Sequence, residues 1–121
     1  MKRRSDPRHL ARVTVVKNLF AESFVKGNEV KSPVSANVLA NLSKIDKLII
    51  KNAPAWPLNQ IAPVDLAILR LAIYELLFSK KKEPFKVVVD EAVELAKEYG
   101  DTSSASFING VLGSIVAQKL K

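Results

Sequence analysis

Arg3, Arg4, Arg8, Arg12 and Lys17 fall within one short segment, and Phe20 follows Arg12 about two helical turns later. Guanidinium and ammonium groups meet phosphate oxygens while rings stack on unpaired bases, so this grouping suits single-stranded RNA. Phe20 fits the core as well, and a helical wheel slightly favours the core. A second grouping opens the stretch "SFINGVLGSI" at 106–115, where Phe107 offers a stacking ring and Asn109 a hydrogen-bonding amide.

Catalytic chemistry has much less to work with. His9 is the only histidine and lies inside the basic segment, which makes it a surface or phosphate-facing residue before a general base. Nucleophile-elbow, P-loop and dinucleotide motifs are missing, and no histidine pair or Asp-rich loop has metal-ligand spacing. Asp90, Glu91, Glu94 and Glu98 read as a solvated helix face paired with Lys86 and Lys97. Arg70 and Glu75, on an otherwise apolar helix, read as buried structural ion pairs. The expectation is a binding protein with no catalytic residue, no metal and no cofactor.

Helices must position these groups. Asp6-Pro7 is an N-cap followed by proline, and Leu10, Val13, Val16, Phe20 and Phe24 recur at helical spacing until Gly27-Asn28. Ser32-Pro33 repeats the start signal for a helix reaching about Lys51, with Val34, Val38, Leu39, Leu42, Ile45, Leu48 and Ile49 as its stripe. Pro54 and Pro57 force a connection, with Trp56 expected to anchor it to the core. Pro63 opens "PVDLAILRLAIYELLF", apolar on nearly every side and therefore central. Pro84 opens an amphipathic helix ended by Gly100, whose apolar face is Val88, Ala92, Leu95, Ala96 and Tyr99. The last helix starts at Ser103 or Ser104 as N-cap and runs to the terminal lysines. No segment has the turn-bounded alternation of a strand, so the fold class is all-α.

On the last helix Ile108, Val111, Leu112, Ile115 and Val116 gather on one face, while Ser106, Gly110, Gly113 and Ala117 form a nearly bare strip elsewhere. Such a strip admits close approach, more often by a second helix than by an outside ligand.

Length and composition agree with one domain over 1–121, in a basic part at about 1–52 and a second helical part at about 58–121. The net charge is +7, and residues 1–26 carry seven basic against two acidic side chains. Such concentration favours a polyanion. Without cysteine there is no disulfide framework, and no apolar run reaches the roughly 18 residues of a membrane helix. A cytoplasmic protein with no membrane partner is expected.

The order "PVDLAILRLAIYELLF", "PFKVVVDEAVELAKEYG", "SFINGVL" resembles the C-terminal half of the NusB family of transcription antitermination factors, and "ARVTVVKNLF" resembles its arginine-rich first helix. The resemblance implies a fold of two small helical bundles. It also implies binding to boxA-like single-stranded RNA of ribosomal RNA leaders together with NusE, a small-subunit ribosomal protein, within an RNA polymerase antitermination complex. Carried onto this chain, it marks Arg8, Arg12, Lys17 and Phe20 in the first helix, Phe107 and Asn109 in the last, and Asp65 for protein binding. Lys17 stands where the family often has glutamine, Phe20 where it often has tyrosine, and Gly113 where it often has aspartate. Two rivals stand beside this reading: an RNA-guiding module related to the N-terminal domain of rRNA cytosine methyltransferases, and a helical protein scaffold. Self-association as a homodimer is left open.

Overall fold

The computed structural model describes residues 6–25 and 32–120, so Arg3, Arg4 and the expected helix end at Gly27-Asn28 lie outside the described residues. The regular elements are α1 (Pro7–Phe24), α2 (Pro33–Ala40), α3 (Leu42–Asn52), α4 (Pro63–Ile73), α5 (Phe85–Tyr99) and α6 (Ser104–Lys119). A 3-10 turn at Leu58–Gln60 precedes α4, and a π turn at Tyr74–Phe78 extends it. Every element among the described residues is helical, so the chain is all-α.

The start signals act as written. Asp6 Oδ1 accepts the Arg8 backbone N–H at 2.8 Å ahead of Pro7, and Ser32 Oγ accepts the Ser35 N–H at 3.4 Å ahead of Pro33. The single helix expected from Ser32 to Lys51 is instead two. Asn41 leaves helical geometry at φ −106° and ψ 11°, and its amide donates to the Asn37 carbonyl at 2.8 Å, a local bond that competes with the helical ladder.

The helices gather around α4, which packs against α1, α2, α3, α5 and α6. From Leu66 to Ile73 only Arg70 escapes burial, as an all-round apolar helix requires. Polar ties fix its neighbours: Arg70 forks onto Asp46 of α3 at 3.0 and 2.9 Å, and Ser114 of α6 donates to Asn52 at 2.7 Å.

α1 rolls away from its expected register. Val13 and Val16 are buried, but Leu10, Phe20 and Phe24 are exposed, and His9, Arg12, Val15 and Leu19 take the inner positions. On α5, Tyr99 is likewise exposed and Glu91 is buried at 2%. Both departures share one cause, an ion-pair cluster described below.

α6 buries Ile108, Val111, Leu112, Ile115 and Val116 as its periodicity demands. Its N-cap is Ser103, one of the two expected serines, but the serine side chain makes no capping bond; Asp101 Oδ1 accepts from the Ser103 N–H and Oγ at 2.8 Å each, and from Ser104 Oγ at 3.3 Å. The expected helix neighbour of Gly110 and Gly113 is absent, since a Cβ at either would meet nothing within 4 Å. Neither residue is needed for close packing within the chain. Gly110→Ala and Gly113→Ala are each expected to raise unfolding free energy by about 1 kcal/mol. Urea melts of the two variants check this, and a loss of stability would contradict the open strip.

Candidate nucleic-acid interface

α1 sorts its cations by burial. Arg8, in the first turn, leaves 70% of its side chain exposed and pairs with Asp6 at 3.3 Å. Such surface pairs contribute little, so its guanidinium remains available to another anion. The pairing with Arg8 nevertheless holds the Asp6 carboxyl below its ordinary range. Lys17 is exposed about two and a half turns later, and Phe20 lies beside it with its ring edge-on to Phe24 at 4.9 Å. Phe20 is therefore a surface ring, 36% exposed, where the wheel slightly favoured the core.

Arg12 does the opposite. Its Nε and Nη2 donate to Glu75 at 2.9 and 2.7 Å, and Nη1 donates to Glu91 at 3.2 Å. Burial by itself would lower the Arg12 pKa, but the bond to Glu75 and the charges of Glu75 and Glu91 outweigh it and raise the pKa. The guanidinium that was expected to meet RNA is therefore held inside the protein, as a tie between α1, the π turn and α5. His9 is corrected as well. It is 3% exposed, with Nδ1 3.2 Å from Glu91 Oε2 and Nε2 2.7 Å from Glu98 Oε1. Glu91 and Glu98 therefore belong to this cluster and not to a solvated face.

A cationic feature escaped the motif reading. Lys80, Lys81 and Lys82 are all exposed in the loop between the π turn and α5. Glu83, next in sequence, acts electrostatically on both Arg8 and Arg12. The signal was present as three successive lysines.

Phe107 and Asn109 do not share a site. Phe107 lines a cleft of about 400 Å³ with Trp56, Gln60, Ile61, Asp65 and Asp101. Asn109 is exposed along a separate groove between α5 and α6, bordered by Asp90, Glu94 and Lys97. No α1 residue lines either space. Trp56 is not the buried anchor its flanking prolines suggested: it is 51% exposed and meets Phe107 edge-on at 6.4 Å and 78°. Asp65 sits at the floor of the first cleft, 7% exposed, and its Oδ1 has no hydrogen-bond partner. Burial pushes its carboxyl above the ordinary range, a bond from Ser104 opposes that, and the charge of Asp101 adds to it.

Among the described residues no group of side chains is arranged to hold a metal, and no helix is long and apolar enough to cross a membrane.

With this geometry in place, similarity to known proteins is informative. A model of the NusB family matches residues 26–117. The transcription antitermination protein NusB of Chloroflexus aggregans is 51% identical over 79 residues, covering 64% of this chain and 53% of that protein. That of Elusimicrobium minutum is 41% identical over 93 residues, covering 77% and 66%. The chain thus spans about half the length of the first curated relatives it matches. Among solved structures, T. maritima NusB superposes with a TM-score of 0.84 at 36% identity, covering 93% of this chain and 92% of that one. A chain from a crystal structure of antitermination factors NusB and NusE in complex with dsRNA gives 0.78 at 25% identity, covering 92% and 96%. The matched region runs from the end of the basic segment through α6, and with the agreement in fold it establishes that this chain belongs to the NusB family.

Proposed function

We propose that the chain is a non-enzymatic RNA-binding transcription antitermination factor that holds boxA-like single-stranded RNA and recruits a NusE-like ribosomal protein. The observation that carries the RNA half is the division of cations on α1. Arg12 is spent internally, whereas Arg8 and Lys17 face outward and Phe20 supplies an exposed ring beside Lys17. Arg8 and Lys17 are nine residues apart, about 13 Å along the helix, so they meet different phosphates of one strand. Arg3 and Arg4 precede this surface in sequence and extend its charge. Asn109, on the α5–α6 groove, is a separate candidate RNA contact.

The protein half rests on the relative solved together with NusE and RNA, and on the acidic, aromatic cleft holding Asp65. An acidic cleft repels phosphate, so Phe107 is assigned with Asp65 to the protein-facing side. Assembly with RNA polymerase and a cytoplasmic location follow from this function.

Arg8→Ala with Lys17→Ala is expected to weaken binding to a boxA-like RNA roughly tenfold or more and to reduce the salt slope by about 1.4, two phosphate contacts on a single strand. The melting temperature should stay unchanged, because neither side chain is buried. Labelled boxA RNA and a scrambled control, titrated at two salt concentrations, provide the measurement. Unaltered affinity and slope in the double variant would remove α1 as the RNA surface.

A further inference from the structure

The positive charge of this chain is concentrated in two places, and the basic N-terminal segment is only one of them. Besides the first 26 residues, the eight residues 79–86 carry four lysines against one acidic side chain, while the rest of the chain holds eight basic and nine acidic ones. Lys80, Lys81 and Lys82 stand in the loop ahead of α5 and Lys86 in its first turn, and all four are exposed. Among the described residues none of these ammonium groups is held in an ion pair. Their backbone is fixed, since Ser79 Oγ accepts the Lys81 N–H at 3.2 Å and donates to the Lys81 carbonyl at 3.1 Å. Like charges kept this close repel one another, and an outside anion relieves the repulsion.

Both ends of the segment are tied to α1. Arg12 grips Glu75, five residues before Lys80, and Glu91, five residues after Lys86. Five residues of chain span at most about 18 Å, so the two ends of the lysine segment lie within that reach of the groups that hold α1. The segment's one large apolar side chain, Phe85, packs against the core and offers no free ring to a base.

We infer that residues 79–86 form a second RNA contact, which holds phosphates flanking the boxA-like element without regard to their sequence. Lysine meets phosphate as a point charge, and contacts to the backbone position a strand without specifying its bases. A membrane surface commonly takes an apolar side chain beside its lysines, which Phe85, turned to the core, does not supply. The inference rests on the RNA half of the proposed function and carries the bound strand beyond the surface of α1.

Lys80→Gln, Lys81→Gln and Lys82→Gln are made together in the full chain, beside a second triple variant, Lys44→Gln with Lys47→Gln and Lys51→Gln. The second variant removes the same charge from exposed positions on α3, which packs against α4, α6 and the 3-10 turn. Three labelled RNAs are the probes: the boxA-like element alone, and the element lengthened by a uridine tract on its upstream or its downstream side. The loop variant is expected to bind one of the lengthened RNAs roughly tenfold more weakly, with the salt slope lower by about 2, three phosphate contacts on a single strand. Its affinity for the element alone should stay close to that of the unaltered chain. Its melt by circular dichroism should not move, because the substituted side chains are exposed. Unaltered affinity and slope on both lengthened RNAs overturn the inference. So does an equal loss in the α3 variant, which would reduce the effect to net charge, or an equal loss on the element alone, which would put the loop inside the element's own site. Binding to phosphatidylserine vesicles that is lost in the loop variant, with RNA binding intact, assigns the lysines to a membrane surface instead. Absence of RNA binding by the unaltered chain overturns the reading and the inference together, whereas a loop variant without effect overturns the inference alone.

Discussion

Arg12→Ala is expected to lower the unfolding free energy by about 3–5 kcal/mol, the cost of removing one partner from a buried charge cluster. For a chain of this size that is a large share of the usual 5–15 kcal/mol. The arginine joins α1 to the π turn through Glu75 and to α5 through Glu91, and His9 joins the same Glu91 and also Glu98. Without it, Glu91, at 2% exposure, loses its guanidinium partner. Arg12→Lys should recover only part of the loss, because a single ammonium cannot fork onto Glu75 and reach Glu91 together. Denaturant unfolding followed by circular dichroism measures both. A loss under about 1 kcal/mol would place Arg12 among ordinary surface pairs. Reduced RNA affinity at unchanged stability would return it to the RNA surface.

Gly100→Ala carries the second large effect. A Cβ there would sit 2.4 Å from Ser104 Oγ, 2.5 Å from Ser104 Cβ and 2.8 Å from the Ala96 carbonyl oxygen. At φ −90° the backbone suits any residue, so space and not conformation demands glycine. Ser104 is 1% exposed and cannot swing outward. Its Oγ accepts the Asp101 N–H at 3.0 Å, holding the loop that caps α6. Overpacking of this kind costs about 1–3 kcal/mol. Ser104→Ala in the same chain should not rescue it, because the Cβ contact at 2.5 Å remains. Comparison of melts with Gly110→Ala is decisive: the two variants are expected to move in opposite directions, and a neutral Gly100→Ala would contradict the packed corner. The same corner carries Asp101 at the aromatic cleft.

Much of the fold was legible locally. Asp6-Pro7 and Ser32-Pro33 begin helices because a cap oxygen and a proline act within three residues of themselves. The α4 and α6 faces were read correctly because both are apolar stripes packed against apolar neighbours. Of the candidate site, Arg8, Lys17 and Phe20 were found as a basic segment with a ring, but their exposure was not. Glu91, Glu98 and His9 were misread because each is polar in a pattern where polarity means solvent. Trp56 was misplaced because flanking prolines fix a backbone path, not what covers the indole.

The sequence by itself therefore determined the helical class, where most helices begin and end, the core faces of α4 and α6, and the concentration of basic residues at one end. Only the tertiary structure decided how α1 is rolled, which of its arginines is free, that the glycine strip of α6 lies open, and that Asp65 is buried beside two rings. The physical reason is range. Caps and amphipathic stripes are settled within a turn or two, whereas Arg12 finds Glu75 and Glu91 across 63 and 79 residues, and Ser114 finds Asn52 across 62. Local periodicity weighs His9 and Arg12 as polar and turns them outward. Partners far along the chain supply the opposite charges that make their burial favourable.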